Sequence, residues 1–292
     1  MGSRHVPPSQ EDPATGVATT DVAATAVTPA VRLHLPKLTS PPPPEKLPIL
    51  LYFHGGGFCV ESAFSFLHHR YTTTLSAAAT AVVVSVEYRL APEHPLPAAY
   101  DDAWAALTWI AAGNNHPWIA GHGDLTRLFV GGDSAGGNIA HNLLIRAGSE
   151  PLPGSVKIAG AILCHPFFWG SNPIGTEPRE NVDRSFCYRL WKFVFPAAEG
   201  GIDCPMINPV GGGSRRLAGL GCRRLAVCVA EKDVLAGRAV AYAAEVRESG
   251  WEGEVEVENV AGEEHCFQVD NPATEKAGKL IAWIADFIRR CN

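Results

Sequence analysis

The 292 residues are 46 % hydrophobic and 18 % charged, a balance that suits one large domain with a sizeable buried core. The net charge is −6 and no basic run is interleaved with aromatics, which excludes nucleic acid as a partner, since phosphates need a basic face to neutralise them. No apolar stretch reaches the length of a membrane span.

Residues 1–30 mix Pro, Ser, Thr and Ala without periodicity and read as an irregular N-terminal segment, with a single α/β domain expected over 31–292. The alternation of Val31, Leu33 and Leu35 predicts an edge strand over 30–35, and Pro41-Pro42-Pro43-Pro44 a stiff linker. Residues 47–53 read as a buried strand ending at His54, and 81–87 as a β-branched strand covered on both faces. Trp104, Leu107 and Ile110 have helical spacing over 97–112, which Gly113-Asn114-Asn115 ends. A strand at 127–131 and a helix at 135–147 follow, then strands at 158–164 and 224–230 and helices near 235–249 and 275–290. Residues 254–260 alternate charged and apolar side chains, as at a sheet edge. This order predicts a mainly parallel twisted sheet flanked by helices. Residues from about 171 to 213 break the rhythm and read as a small helical lid insertion. It holds Phe186, Tyr188, Leu190, Trp191, Phe193 and Phe195, and then Gly211-Gly212-Gly213.

The chemistry is concentrated where predicted strands end. Strand 127–131 runs into Gly132-Asp133-Ser134-Ala135-Gly136, and a helix starts at once. A serine on such a strained strand-to-helix turn projects its hydroxyl above the sheet, and glycines two residues before and after avoid the clash. Ser134 is therefore the candidate nucleophile. His54-Gly55-Gly56-Gly57 stands at the end of strand 47–53, where successive glycines present backbone N–H groups to an oxyanion, each worth about 3–4 kcal/mol in comparable sites. Gly56 and Gly57, with Ala135, are the expected donors, and His54 shapes the loop. A phosphate loop would carry Gly-Lys-Ser or Gly-Lys-Thr, which is missing.

The fold's order of serine, acid and histidine selects the other two groups. Asp233 follows strand 224–230 and His265 follows strand 254–260, with Glu231 as the rival acid. His68, His69, His116 and His122 precede the serine and so fall in the wrong order; His141 reads as a packing partner and His165 as a pocket wall. Phe58, Phe64, Phe167, Phe168 and Trp169 are expected to line an apolar substrate pocket. No H-E-x-x-H or His/Cys cluster suggests a metal, and no G-x-G-x-x-G follows the first strand, so neither metal nor nucleotide cofactor is expected. The eight cysteines form no C-x-x-C pair and several sit in apolar runs, which fits reduced thiols in a cytoplasmic protein. The N-terminus has no apolar signal core, and Val6 stands where a myristoylation motif needs Ser or Thr.

Three strings carry a family likeness: His54-Gly55-Gly56-Gly57-Phe58-Cys59, the stretch from Glu87-Tyr88-Arg89-Leu90-Ala91-Pro92-Glu93-His94-Pro95 to Asp102, and Gly131-Gly132-Asp133-Ser134-Ala135-Gly136-Gly137-Asn138. With Asp233 and His265 they resemble the hormone-sensitive-lipase branch of the α/β-hydrolases, and most closely its plant carboxylesterases, over nearly the whole chain from residue 11. The resemblance implies cofactor-free hydrolysis of a small-molecule ester, short-chain or aromatic, in the cytosol, by the same triad and the same three amide donors. Family members usually carry a longer N-terminal segment with helices over the active site. Here a short Pro-rich stretch precedes Asp12-Pro13-Ala14-Thr15-Gly16, so a more open pocket is expected, roofed mainly by 183–196. Two non-hydrolytic members frame the alternatives. A gibberellin-type hormone receptor of this fold lacks the histidine that is present here as His265, and an isoflavonoid dehydratase resembles it with Thr in place of Ser134. Nothing in the sequence reports the oligomeric state.

Overall fold

The computed structural model describes residues 4–38, 45–113, 116–210 and 216–290. The proline linker at 41–44, the helix stop at 114–115 and the glycines at 211–213 lie outside the described residues. An eight-stranded sheet runs in the order β1 (Ala18–Val22), β2 (Ala30–Leu35), β4 (Val82–Glu87), β3 (Leu47–Phe53), β5 (Gly123–Asp133), β6 (Ile158–Cys164), β7 (Arg224–Ala230), β8 (Glu254–Val260). β1 and β2 pair antiparallel, and every pairing from β4 to β8 is parallel. This is the α/β-hydrolase arrangement expected from the sequence.

Both faces of the sheet are covered, which is why its strands are continuously apolar. In β3, Ile49, Leu51 and Phe53 pack on one side with helices α2 (Ala98–Ala111), α4 (Ala135–Ser149) and α6 (Ala236–Glu248). Leu50 and Tyr52 point to the other side, against α1 (Phe66–Ala79) and α8 (Glu275–Arg289). Two short helices, α3 (Pro117–His122) and α7 (Phe267–Asp270), complete these layers. The long crossover from β6 to β7 breaks the rhythm and carries α5 (Phe186–Val194), capped by the Ser185 hydroxyl, which accepts from Tyr188 N–H at 3.3 Å.

Two expectations change. The N-terminal segment is not irregular throughout, because β1 forms inside it and pairs with β2, so residues 30–35 lie one strand in from the edge. The cause is a charge pair hidden from hydropathy: Arg32 is only 1 % exposed, and its guanidinium grips Asp21 of β1 at 2.7 and 2.8 Å. Helix α1 also had no sequence signal. Its Thr72 and Thr74 are poor helix formers, yet their hydroxyls bond back to the His68 and Arg70 carbonyls at 2.7 and 2.8 Å, and burial of Tyr71, Leu75 and Ala79 outweighs propensity.

A second buried pair holds the crossover down. Arg238 of α6 is 1 % exposed and makes two bonds to Glu177, at 2.6 and 3.0 Å, one to Asn208 Oδ1 at 3.0 Å and one to the Asn172 carbonyl at 2.7 Å. These bonds fix the strand of chain that leads into α5. Removing one partner of such a pair leaves a bare buried charge, so Glu177→Gln should lower the unfolding free energy by about 3 kcal/mol. Urea titration followed by tryptophan fluorescence measures it; a midpoint equal to wild type would mean the pair contributes nothing.

Candidate active site

β5 leads directly into the turn at Ser134, whose φ of +52° and ψ of −114° lie outside the ordinary regions for a non-glycine residue. The turn is held from outside: Ser134 N–H bonds the Cys164 carbonyl at the end of β6, and the Ser134 carbonyl accepts from Phe167 N–H, each at 2.9 Å. The flanking glycines are required by space. A Cβ on Gly136 would stand 2.0 Å from the Phe53 carbonyl oxygen, and one on Gly132 would stand 2.5 Å from the same atom. The start of α4 therefore nests against the end of β3, and its positive end points at the serine.

Ser134 Oγ lies 2.8 Å from His265 Nε2, and His265 Nδ1 lies 2.6 Å from Asp233 Oδ2. The second oxygen of Asp233 accepts from Leu235 N–H at 2.9 Å. The loops that carry acid and base are tied together, since Lys232 N–H bonds the Glu263 carbonyl at 2.9 Å and Gly262 N–H bonds Glu231 Oε2 at 2.7 Å. Glu231, the rival acid, is thus a loop clamp on the surface and Asp233 the buried partner of the imidazole.

Gly56 (φ +105°) and Gly57 (φ +60°) line the same cavity as Ser134 and His265, in a conformation that favours glycine. Gly56 is locked by its own carbonyl, which accepts from Cys59 and Val60 N–H at 3.0 Å each. His54 sits beneath, stacked on Tyr88 at 4.2 Å, and burial first of all drives its pKa down to about 3, so it shapes the loop as a neutral ring. Ala135 is wholly buried as the first residue of α4. Among the described residues no group of His, Cys, Asp and Glu is arranged to hold a metal ion, and no helix is long and apolar enough to cross a membrane.

Residues 50–269 match the family described as alpha/beta hydrolase fold. The chain is 50 % identical over 297 aligned positions to 2-hydroxyisoflavanone dehydratase of Glycyrrhiza echinata, covering 99 % of this chain and 90 % of the relative. It is 42 % identical over 235 positions to probable carboxylesterase 5 of Arabidopsis thaliana, covering 78 % and 73 %. The chain belongs to the plant carboxylesterase family, in the hormone-sensitive-lipase-like branch of the α/β-hydrolases. Among solved structures, a hyperthermophilic esterase from the archaeon Pyrobaculum calidifontis superposes with a TM-score of 0.74 at 27 % identity, over 94 % of this chain and 85 % of that one.

In this carboxylesterase-family chain the cavity above Ser134 has a volume of about 880 Å³. Of the five aromatics expected to line it, only Phe167 does. Phe58 is buried below α5, edge-on to Tyr100, Phe167 and Trp191. Phe64 lies under the Arg32 guanidinium beside His5, away from the site. Phe168 packs on His141 and Tyr242, and Trp169 under Arg238, so both belong to the core around α6. His141 is the packing partner expected, bonded to the Tyr242 hydroxyl at 3.0 Å. His165 is not a pocket wall; it stands wholly buried behind Asp233. The apolar lining comes instead from Val60, Leu67, Val234, Leu235 and Val269, roofed by Phe186 and Leu190 of α5. The spacing of Phe186 and Leu190, four apart on one helix face, carried that signal.

Asp133, inside the serine motif, has a role that no local pattern in the chain signals. Its side chain turns under the glycine loop, accepts from the Tyr52 hydroxyl and from Gly55 N–H (3.1 Å), and lies 3.4 Å from His68 Nε2 of α1. Burial opposes both charges, yet the pair overcomes it. The carboxylate of Asp133 and the nearby Glu61 hold His68 at about 9, while His68 and the Tyr52 hydroxyl bring Asp133 to about 2. The stabilisation from His68 is complete below its unfolded value and is lost as pH rises through about 9; that from Asp133 is lost only as pH falls through about 2. The melting temperature of His68→Gln should therefore lie below wild type at pH 7, and the gap should narrow on the way to about pH 10. A gap that stays constant over that range, in thermal melts read by circular dichroism, would show that His68 is not charged.

Proposed function

We propose that the protein hydrolyses carboxylic esters of small or short-chain acids, with Ser134 as nucleophile, His265 as base and Asp233 as the group that orients it. The observation that carries this reading is the unbroken path from Ser134 Oγ through His265 to Asp233, at 2.8 and 2.6 Å, opening on the cavity beside Gly56 and Gly57. In this mechanism Oγ attacks the ester carbonyl carbon as its proton passes to His265 Nε2. The oxyanion meets the N–H groups of Gly56, Gly57 and Ala135, and the start of α4 adds its positive end. Collapse expels the alcohol, which takes the proton back from His265. Water then repeats the sequence and releases the acid. The crossover bearing α5 serves as the lid.

One observation favours a second reading: the 50 % identity to a dehydratase over 99 % of the chain. The same cavity would then take a hydroxylated ketone. His265 would remove a proton from the carbon next to the one bearing the hydroxyl, and that hydroxyl would leave as water, with no acyl-enzyme. The Ser134 hydroxyl, bonded to the base at 2.8 Å, favours the hydrolase reading.

Purified protein should cleave p-nitrophenyl acetate and butyrate and be labelled by a fluorophosphonate at Ser134. Ser134→Ala should abolish labelling and lower kcat by about 10⁴-fold or more, and Asp233→Asn should cost about 10⁴-fold. If wild type leaves both esters intact and escapes labelling, the hydrolase reading fails. Loss of water from 2-hydroxyisoflavanone that survives Ser134→Ala would establish the second reading in its place.

A further inference from the structure

Behind Asp233 lies a histidine that the mechanism does not use. His165 follows β6 with φ +47°, and its N–H bonds the Cys228 carbonyl of β7 at 2.9 Å, which pins it between the two strands. Its ring packs edge-on against His265 at 5.9 Å and against Phe267 at 5.9 Å. Nδ1 stands 3.9 Å from Asp233 Oδ2, the same oxygen that His265 grips. Nε2 faces Gln268 Oε1 at 3.0 Å, and Gln268 is wholly buried.

Two buried polar atoms in this cluster have no hydrogen-bond partner, His165 Nδ1 and Gln268 Nε2. Amide oxygen and nitrogen are assigned by their bonding network, so one half-turn of the Gln268 amide bears on both. It sets the NH₂ against His165 Nε2, which then accepts, and the ring proton moves to Nδ1. The oxygen takes the unpartnered place, where a carbonyl costs less than an NH₂ with two idle hydrogens. Burial foremost, and then the neighbouring His265, lower His165 to about 4 against the pull of Asp233, so the ring is neutral and a single nitrogen bears hydrogen.

We propose that His165, its tautomer set by Gln268, is a positioning residue for Asp233: its Nδ1–H faces Oδ2 from behind while Leu235 N–H holds Oδ1 at 2.9 Å. At 3.9 Å this N–H acts on the carboxylate as a dipole facing its charge, on the oxygen that also serves His265. This role rests on the triad reading above. Because His165 does not border the cavity, its loss acts on the turnover step and not on binding.

Two measurements test the proposal. ¹⁵N NMR of histidine-labelled wild type reads the tautomer without reference to any activity, and should give a neutral, Nδ1-protonated ring near pH 7. Kinetics with p-nitrophenyl acetate should give a kcat about ten- to a hundredfold lower for His165→Ala with KM within about twofold, by analogy with outer-shell partners that orient a ligand. His165→Asn, whose amide N–H occupies the place of Nδ1, should recover most of that rate. An Nε2-protonated His165 in the wild type overturns the proposal, as does a His165→Ala enzyme with unchanged kcat where His265→Ala is inactive. If His265→Ala itself keeps the wild-type rate, the triad reading is at fault, and an Nδ1-protonated His165 is then a structural prop and not the positioning residue named here.

Discussion

The structure turns on one close approach, between the end of β3 and the first turn of α4. With Phe53 O only 2.0 Å from where a Gly136 Cβ would stand, no side chain fits there, and the chain must bend sharply at Ser134 to enter the helix. The strain of φ +52° at Ser134 is offset by bonds to β6 and to Phe167 on either side of it. The same approach brings the glycine loop after β3 alongside the serine. It also buries Asp133, whose carboxylate then ties that loop, the turn and α1 into one body. Ser134 and the loop of Gly56 and Gly57 are thus placed by backbone contact.

Asp233 and His265 are placed in a different way. They stand on loops after β7 and β8, and parallel register between these strands, together with the Lys232–Glu263 and Gly262–Glu231 bonds, sets their separation. Behind them His165 and Gln268 form a buried polar pair at the back of the Asp233 carboxylate. The roof is carried by the crossover, which the Arg238–Glu177 pair holds down while Cys187, Trp191 and Val194 of α5 pack into the core beneath it.

Strands 47–53, 158–164, 224–230 and 254–260 were legible to the residue because each is an apolar or alternating run cut off by charge or glycine. β1 and α1 were not, since cross-strand and back-bonded polar groups stabilise them and hydropathy does not register such bonds. Ser134, Asp233 and His265, which the fold brings within hydrogen-bonding distance of one another, were legible because each sits in a short loop after a strand, a local pattern in the chain. The cavity wall was not. Phe58, Phe168 and Trp169 lie beside or near the motifs in sequence, but they turn into the core, and the lining is assembled from loops far apart in the chain. Asp133 and His68, too, are 65 positions apart and meet only through the fold.

The alternation of glutamates in β8 has a consequence for behaviour at high concentration. This strand is one border of the sheet, and an open border offers its backbone to any other chain in extended form. Glu254, Glu256 and Glu258 recur at every second residue, and Glu256 is further engaged by Arg224 and Arg290 at 3.1 and 2.8 Å. Two such borders laid side by side would bring like charges into register, at a cost in each cross-strand pair. At the opposite border, the segment around Ser9 bonds Thr19 of β1 and covers part of the exposed backbone. Like charge thus opposes pairing at one border of the sheet, and the segment around Ser9 takes up part of the backbone at the other.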